Sequence, residues 1–96
     1  MATLNFTKEK RRWVSDMFIP SMSNIEISVH FANPGGGLVG VMRSTDGVEW
    51  TPFESSTVGN LGKDTRLLIF NVSGIVPGAL LRLSSTAEVD DGKWRE

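Results

Sequence analysis

The chain has 96 residues and a mass of 10.5 kDa, with ten Gly, four Pro and neither Cys nor Tyr. One domain of this size buries only roughly 60–65% of the surface its unfolded chain exposes, so most apolar runs are needed for the core and few residues are left for chemistry. A formal charge of −1 gives no overall field for nucleic acid or an acidic membrane surface, and the lack of Cys excludes a disulfide framework, a thiolate zinc site, an iron–sulfur cluster and a cysteine nucleophile.

No apolar stretch approaches the ~18–20 residues that span a bilayer, and Met1–Phe6 lacks the apolar core of a signal peptide, so the expectation is a soluble chain made in the cytoplasm. Nothing near Met1–Thr7 offers it an apolar partner, and a basic cluster follows at Lys8-Glu9-Lys10-Arg11-Arg12. Residues 1–10 therefore read as an N-terminal arm ordered by a neighbour, with Thr7–Arg11 able to form one exposed turn. Residues 11–96 read as a single β-sandwich domain.

Within it, Arg12–Ile19 alternates with apolar weight on both faces until Pro20 removes a ladder donor. Asn24–Phe31 is the clearest strand, with Ile25, Ile27, Val29 and Phe31 on one face and Glu26, Ser28 and His30 on the wet one. Asn33-Pro34-Gly35-Gly36-Gly37 is expected to be a mobile turn, since three glycines maximise the entropy cost of ordering and Pro34 removes a donor. Leu38–Ser44 resumes the extended pattern, and Thr45-Asp46-Gly47 suits a tight hairpin before Val48-Glu49-Trp50 returns.

A polar stretch at Glu54-Ser55-Ser56-Thr57 and a long surface loop at Gly59–Asp64 come next. Arg66–Val72 carries Leu67-Leu68-Ile69-Phe70 in succession and predicts a central strand covered on both faces. Ser73–Gly78 is a turn, Ala79–Ser84 a strand with Leu81 and Leu83 inward and Arg82 outward, and a short last strand involves Val89 or Lys93–Arg95 around Asp91-Gly92. The predicted fold is all-β, an antiparallel jelly-roll-like sandwich of about seven to eight strands. Its predicted core is Ile25, Ile27, Val29, Phe31, Val39, Val41, Trp50, Leu67, Ile69, Leu81 and Leu83.

Chemistry-bearing motifs are sparse. Asp46 with Glu49, and Asp90-Asp91 near Glu88, could offer oxygens to calcium, but no EF-hand spacing supplies the ~6–8 ligands it takes, and solvated turns explain both. His30 is the only histidine and no nucleophile-elbow sequence presents a serine to it. Gly35-Gly36-Gly37 is followed by neither Lys-Ser/Thr nor a helix, so it is not a phosphate cradle. Trp13, Trp50 and Trp94 read either as core or interface anchors or as an aromatic platform for a sugar. The expectation is no catalytic, cofactor or metal site. Candidate partner-binding residues are Leu4 and Phe6 of the arm, Lys8, Lys10, Arg11 and Arg12 of the basic cluster, and Trp13 and Trp94.

Asn24–Phe31, Gly37–Arg43 with Ser44-Thr45-Asp46-Gly47-Val48-Glu49-Trp50, Arg66–Val72, and Gly78 with Leu80-Leu81-Arg82-Leu83-Ser84-Ser85 form a pattern that resembles small β-sandwich structural proteins of tailed bacteriophages. The resemblance runs from about Trp13 to Ser85 and implies a non-enzymatic virion protein, foremost a capsid auxiliary or decoration protein attached in many copies. Its implied partners are the major capsid protein or neighbouring virion subunits, with self-association open and neither nucleic acid nor membrane expected. Sugar-binding jelly rolls share the Asp-Gly-x-x-Trp hairpin, so a carbohydrate-binding module or a tail or fibre adhesion domain is the alternative, and an enzyme accessory domain a third class.

Overall fold

A computed structural model describes residues 2–53 and 63–96 of the chain. The strands, in order, are β1 (Ala2–Leu4), β2 (Phe6–Glu9), β3 (Arg12–Ser15), β4 (Ile25–Phe31), β5 (Val39–Ser44), β6 (Thr51–Pro52), β7 (Leu67–Val72), β8 (Leu80–Ser85) and β9 (Val89–Arg95). All pair antiparallel, in one sheet ordered β1-β9-β4-β7 (sheet A) and another ordered β2-β3-β8-β5-β6 (sheet B). Only the β2–β3 and β5–β6 links stay within a sheet; every other connection crosses, which is the winding of a jelly roll with β2 added at one edge. No helix occurs among the described residues.

The core lies between the sheets and follows the period-2 rule. Ile27, Val29 and Phe31 of β4 are fully buried, Val39 and Val41 of β5 and Leu81 and Leu83 of β8 face them, and Leu4, Phe18, Phe53, Phe70, Val72 and Ile75 close the periphery. The β4 expectation therefore holds residue by residue. That for β7 does not: Leu67 and Ile69 are 46% and 56% exposed, while Phe70 and Val72 are buried. β7 is an edge strand of sheet A and not the central strand expected, and its apolar run is half outward because Leu67 and Ile69 stand opposite His30 and Ser28 on the wet face of that sheet. Trp50 is likewise half-buried outside the core.

The residues expected to form a free arm are two strands. β1 pairs with β9, Ala2 opposite Trp94 and Leu4 opposite Gly92, and β2 pairs with β3. The corner between them is fixed where the Asn5 amide and side chain donate to the Asp16 carboxylate, at 3.1 and 3.2 Å, and the Asp16 amide donates to the Asn5 carbonyl at 2.9 Å. Of the expected turn Thr7–Arg11, Thr7–Glu9 are accordingly strand and only Lys10 and Arg11 form the hairpin tip, with Lys10 in the left-handed region at φ 55°.

β3 is shorter than Arg12–Ile19, although Phe18 still exchanges two backbone hydrogen bonds with Leu81. Asp91-Gly92 is the interior of β9, with the irregularity displaced to Asp90, which is skipped as His30 pairs with Asp91 and Phe31 with Val89. Gly92 is buried beneath Phe6, whose ring occupies the space a Cβ would take. Gly37 packs against Thr86 and Ala87 where the chain crosses from sheet A to sheet B, so the glycine run includes a packed crossover. The expectations for Glu54–Thr57 and for Gly59–Gly62 lie outside the described residues.

Candidate functional site

Strands facing a core on one side present their alternate residues outward. On sheet B the outward positions form two cross-strand rows. Val14, Ser84 and Gly40 stand in register across β3, β8 and β5, and Arg82, Met42 and Pro52 across β8, β5 and β6. The first row is low, because Ser84 is small and a Cβ placed on Gly40 would meet no atom within 4 Å. Trp50 raises one side, and the β2–β3 hairpin tip, Lys10 and Arg11, raises the other. The result is an open groove of about 750 Å³ floored by Val14, Met42 and Pro52.

Its electrostatics are one-sided. The Arg82 guanidinium carbon lies 4.4 Å from the centroid of the Trp50 ring, a stacked cation–π pair. Its Nε is shielded from solvent without an acceptor, and no carboxylate among the described residues forms an ion pair with Arg82. Arg12 Nη1 donates to Ser84 Oγ at 3.1 Å, which spends one donor of its fork, and no carboxylate among the described residues forms an ion pair with it. Lys10, Arg11, Arg12 and Arg82 thus line the groove against the single carboxylate of Glu9.

The structure divides the sequence-predicted partner residues in three. Lys10, Arg11 and Arg12 join the groove. Lys8 and Trp13 pair across β2–β3 on the other face of that hairpin, the Lys8 ammonium 5.0 Å from the Trp13 ring centroid. Leu4 is 4% exposed and part of the core, Phe6 covers Gly92, and Trp94 packs on Phe18 with ring centroids 5.0 Å apart, so these three serve the fold. Sequence reasoning missed the groove role of Trp50, Met42 and Arg82. The available signal was Arg82, the single cation between the buried Leu81 and Leu83.

The acid-bearing motifs are occupied locally. Asp46 Oδ1 accepts from the amides of Val48 at 2.8 Å and Glu49 at 3.0 Å and from the Ser44 hydroxyl at 3.0 Å. The Val48 amide foremost, then those of Glu49 and the Ser44 hydroxyl, hold the Asp46 carboxyl below the usual carboxylate range. Gly47 beside it has φ 78°, and the hairpin is wider than a two-residue turn because the last β5–β6 pair is Arg43 with Thr51. On sheet A, Asp90 lies 3.9 Å from His30, Asp91 3.6 Å from Lys93, and Glu26 3.0 Å from Arg95. No cluster of three His, Asp or Glu side chains fit to hold a metal ion occurs among the described residues.

Comparison with protein-family models, with curated proteins and with solved structures finds no match to this chain.

Proposed function

We propose that this chain is a non-enzymatic attachment subunit, a structural protein of a tailed-phage virion that decorates the capsid in many copies. The observation that carries the attachment reading is the groove on sheet B, where Arg82 stacks on Trp50 with its Nε unpaired and three further cations line the walls. Cations gathered over an apolar floor favour a partner with complementary charge. The virion assignment is supported by the resemblance around Ser44–Trp50 and Leu80–Ser85. Repetition would supply the strength: many copies on symmetry-related sites turn one modest contact into stable attachment through effective concentration.

A second reading, a carbohydrate-binding module, draws on Trp50, because among the three Trp only Trp50 lines the groove, although its ring, like those of Trp13 and Trp94, already has a partner, Arg82. Cosedimentation with intact particles of the phage whose genome carries the gene, run beside a glycan array, separates the two. Stoichiometric cosedimentation without a glycan hit is expected. A reproducible glycan hit abolished by Trp50→Ala, with the chain left in the supernatant, would overturn the attachment reading.

A further inference from the structure

We propose that the groove on sheet B receives an acidic peptide segment of the partner protein, one that carries apolar side chains beside its carboxylates. The proposal deepens the attachment reading by naming the partner's chemistry, and rests on it for the partner being a protein of the same assembly.

The donor and acceptor inventory selects the ligand class. Lys10, Arg11, Arg12 and Arg82 only donate, and the acceptors among the lining side chains are Glu9 and Ser84, the latter already taken by Arg12. A neutral glycan brings hydroxyls that can accept from these donors but no negative charge to match four cations. A peptide brings carboxylates and carbonyls, which only accept, and apolar side chains that match the floor of Val14, Met42 and Pro52.

Arg82 is the centre of the site. Its guanidinium carbon rests 4.4 Å from the Trp50 ring centroid, so part of the entropy of ordering that side chain is spent before a carboxylate binds. The hairpin tip points the same way: Lys10 holds a positive φ of 55° that Gly would adopt without strain, so a cation is kept at a position where backbone comfort favours Gly.

A second copy of the chain is a poorer occupant. The acids of its sheet A face are already matched, Glu26 to Arg95, Asp91 to Lys93 and Asp90 to His30, while Asp16 and Asp46 are held by Asn5 and by the hairpin amides. Docking any of these in the groove would first break an existing pair, which leaves a second copy, among the described residues, chiefly the single exposed acids Glu49, Asp64 and Glu88, each on a separate loop, to offer.

The test titrates the full chain with a fluorescein-labelled peptide of Asp, Glu, Leu and Pro, a matched peptide with Lys at the acidic positions, and polygalacturonate, read by anisotropy and by amide and indole NMR shifts. The acidic peptide should bind, moving the Trp50 indole and the Met42 and Ser84 amides. Binding should be lost toward about 1 M salt, where the screening length falls to about 3 Å. Arg82→Gln should weaken binding by about tenfold or more, the size of one charge-assisted hydrogen bond. Lys10→Gly should weaken it by a few-fold without lowering the melting temperature, a split that a merely structural lysine would not give. If Arg82→Gln does not fold, Met42→Glu tests the same point, since a carboxylate planted on the floor should compete internally and abolish binding.

Equal binding of the lysine peptide, shifts confined to another face, or full affinity in a folded Arg82→Gln or Met42→Glu would overturn the proposal. So would preferential binding of polygalacturonate at Trp50, or concentration-dependent dimerisation lost in Arg82→Gln, which would assign the groove to a glycan or to a second copy. The attachment reading fails separately: particles that retain a folded Arg82→Gln chain refute the groove and leave attachment standing. A wild-type chain that binds the peptide and ignores particles refutes attachment alone.

Discussion

Asp46 shows how one carboxylate can be committed to shape. Because its folded form is held below the usual carboxylate range by the amides of Val48 and Glu49 and the hydroxyl of Ser44, its stabilising contribution is fully present above the unfolded value and lost as pH falls through the lowered folded one. Asp46→Ala should therefore lower the melting temperature at neutral pH, and the gap to wild type should close as melts are repeated down through the carboxylate range; a gap independent of pH would refute the charge-dependent role. Gly47 beside it sits at φ 78°, so Gly47→Val should destabilise by about 1–3 kcal/mol in denaturant titrations. Both residues were legible in the sequence because turn chemistry is local. Trp50, three positions on from Gly47, was not, because its partner Arg82 lies on another strand and the pairing exists only after β5 and β8 align.

At the level of elements, legibility followed how much of a strand's environment is written in the strand itself. β4 separates its apolar and polar residues by parity, so its buried face was readable, while its partners β7 and β9 were not. β7 carries apolar residues at both parities, and only its pairing with β4 decides that Phe70 and Val72 turn inward. β1 and β2 are too short for periodicity, and the surfaces they cover come from the far end of the chain. Their integration reverses the expectation for a truncation: removing residues 2–10 should reduce β circular dichroism and cooperative melting, not merely attachment. Leu4→Ala should cost about 2–4 kcal/mol, as truncation of a buried leucine does. Phe6 and Gly92 are one unit, since the ring takes the place of a side chain on the strand beneath. Gly92→Ala should cost about 1–3 kcal/mol by overpacking, and much less in a Phe6→Ala background; a double-mutant cycle with additive costs would show that the ring yields freely.

For the whole molecule, composition foretold one sandwich without Cys chemistry, and the strand pattern foretold its two-sheet form. What the sequence concealed was the distribution of charge. A chain with formal charge −1 places two ion pairs and the Asp90–His30 contact on sheet A and gathers four cations against one carboxylate in the groove of sheet B, an asymmetry produced by the winding and invisible in the sum. With no cluster of three acids or histidines fit to hold a metal among the described residues, the domain should show the same melting temperature in chelator and in millimolar calcium; a rise with calcium that is lost in Asp90→Ala or Asp46→Ala would reveal a site. The winding also sets a timetable. β9, last in chain order, lies between β1 and β4, so until it arrives the N-terminal strand of sheet A has nothing to pair with. A ribosome must therefore deliver Val89–Arg95 before Leu4 can be covered or Phe6 can find Gly92, and the nascent chain waits with sheet A as no more than the β4–β7 ribbon.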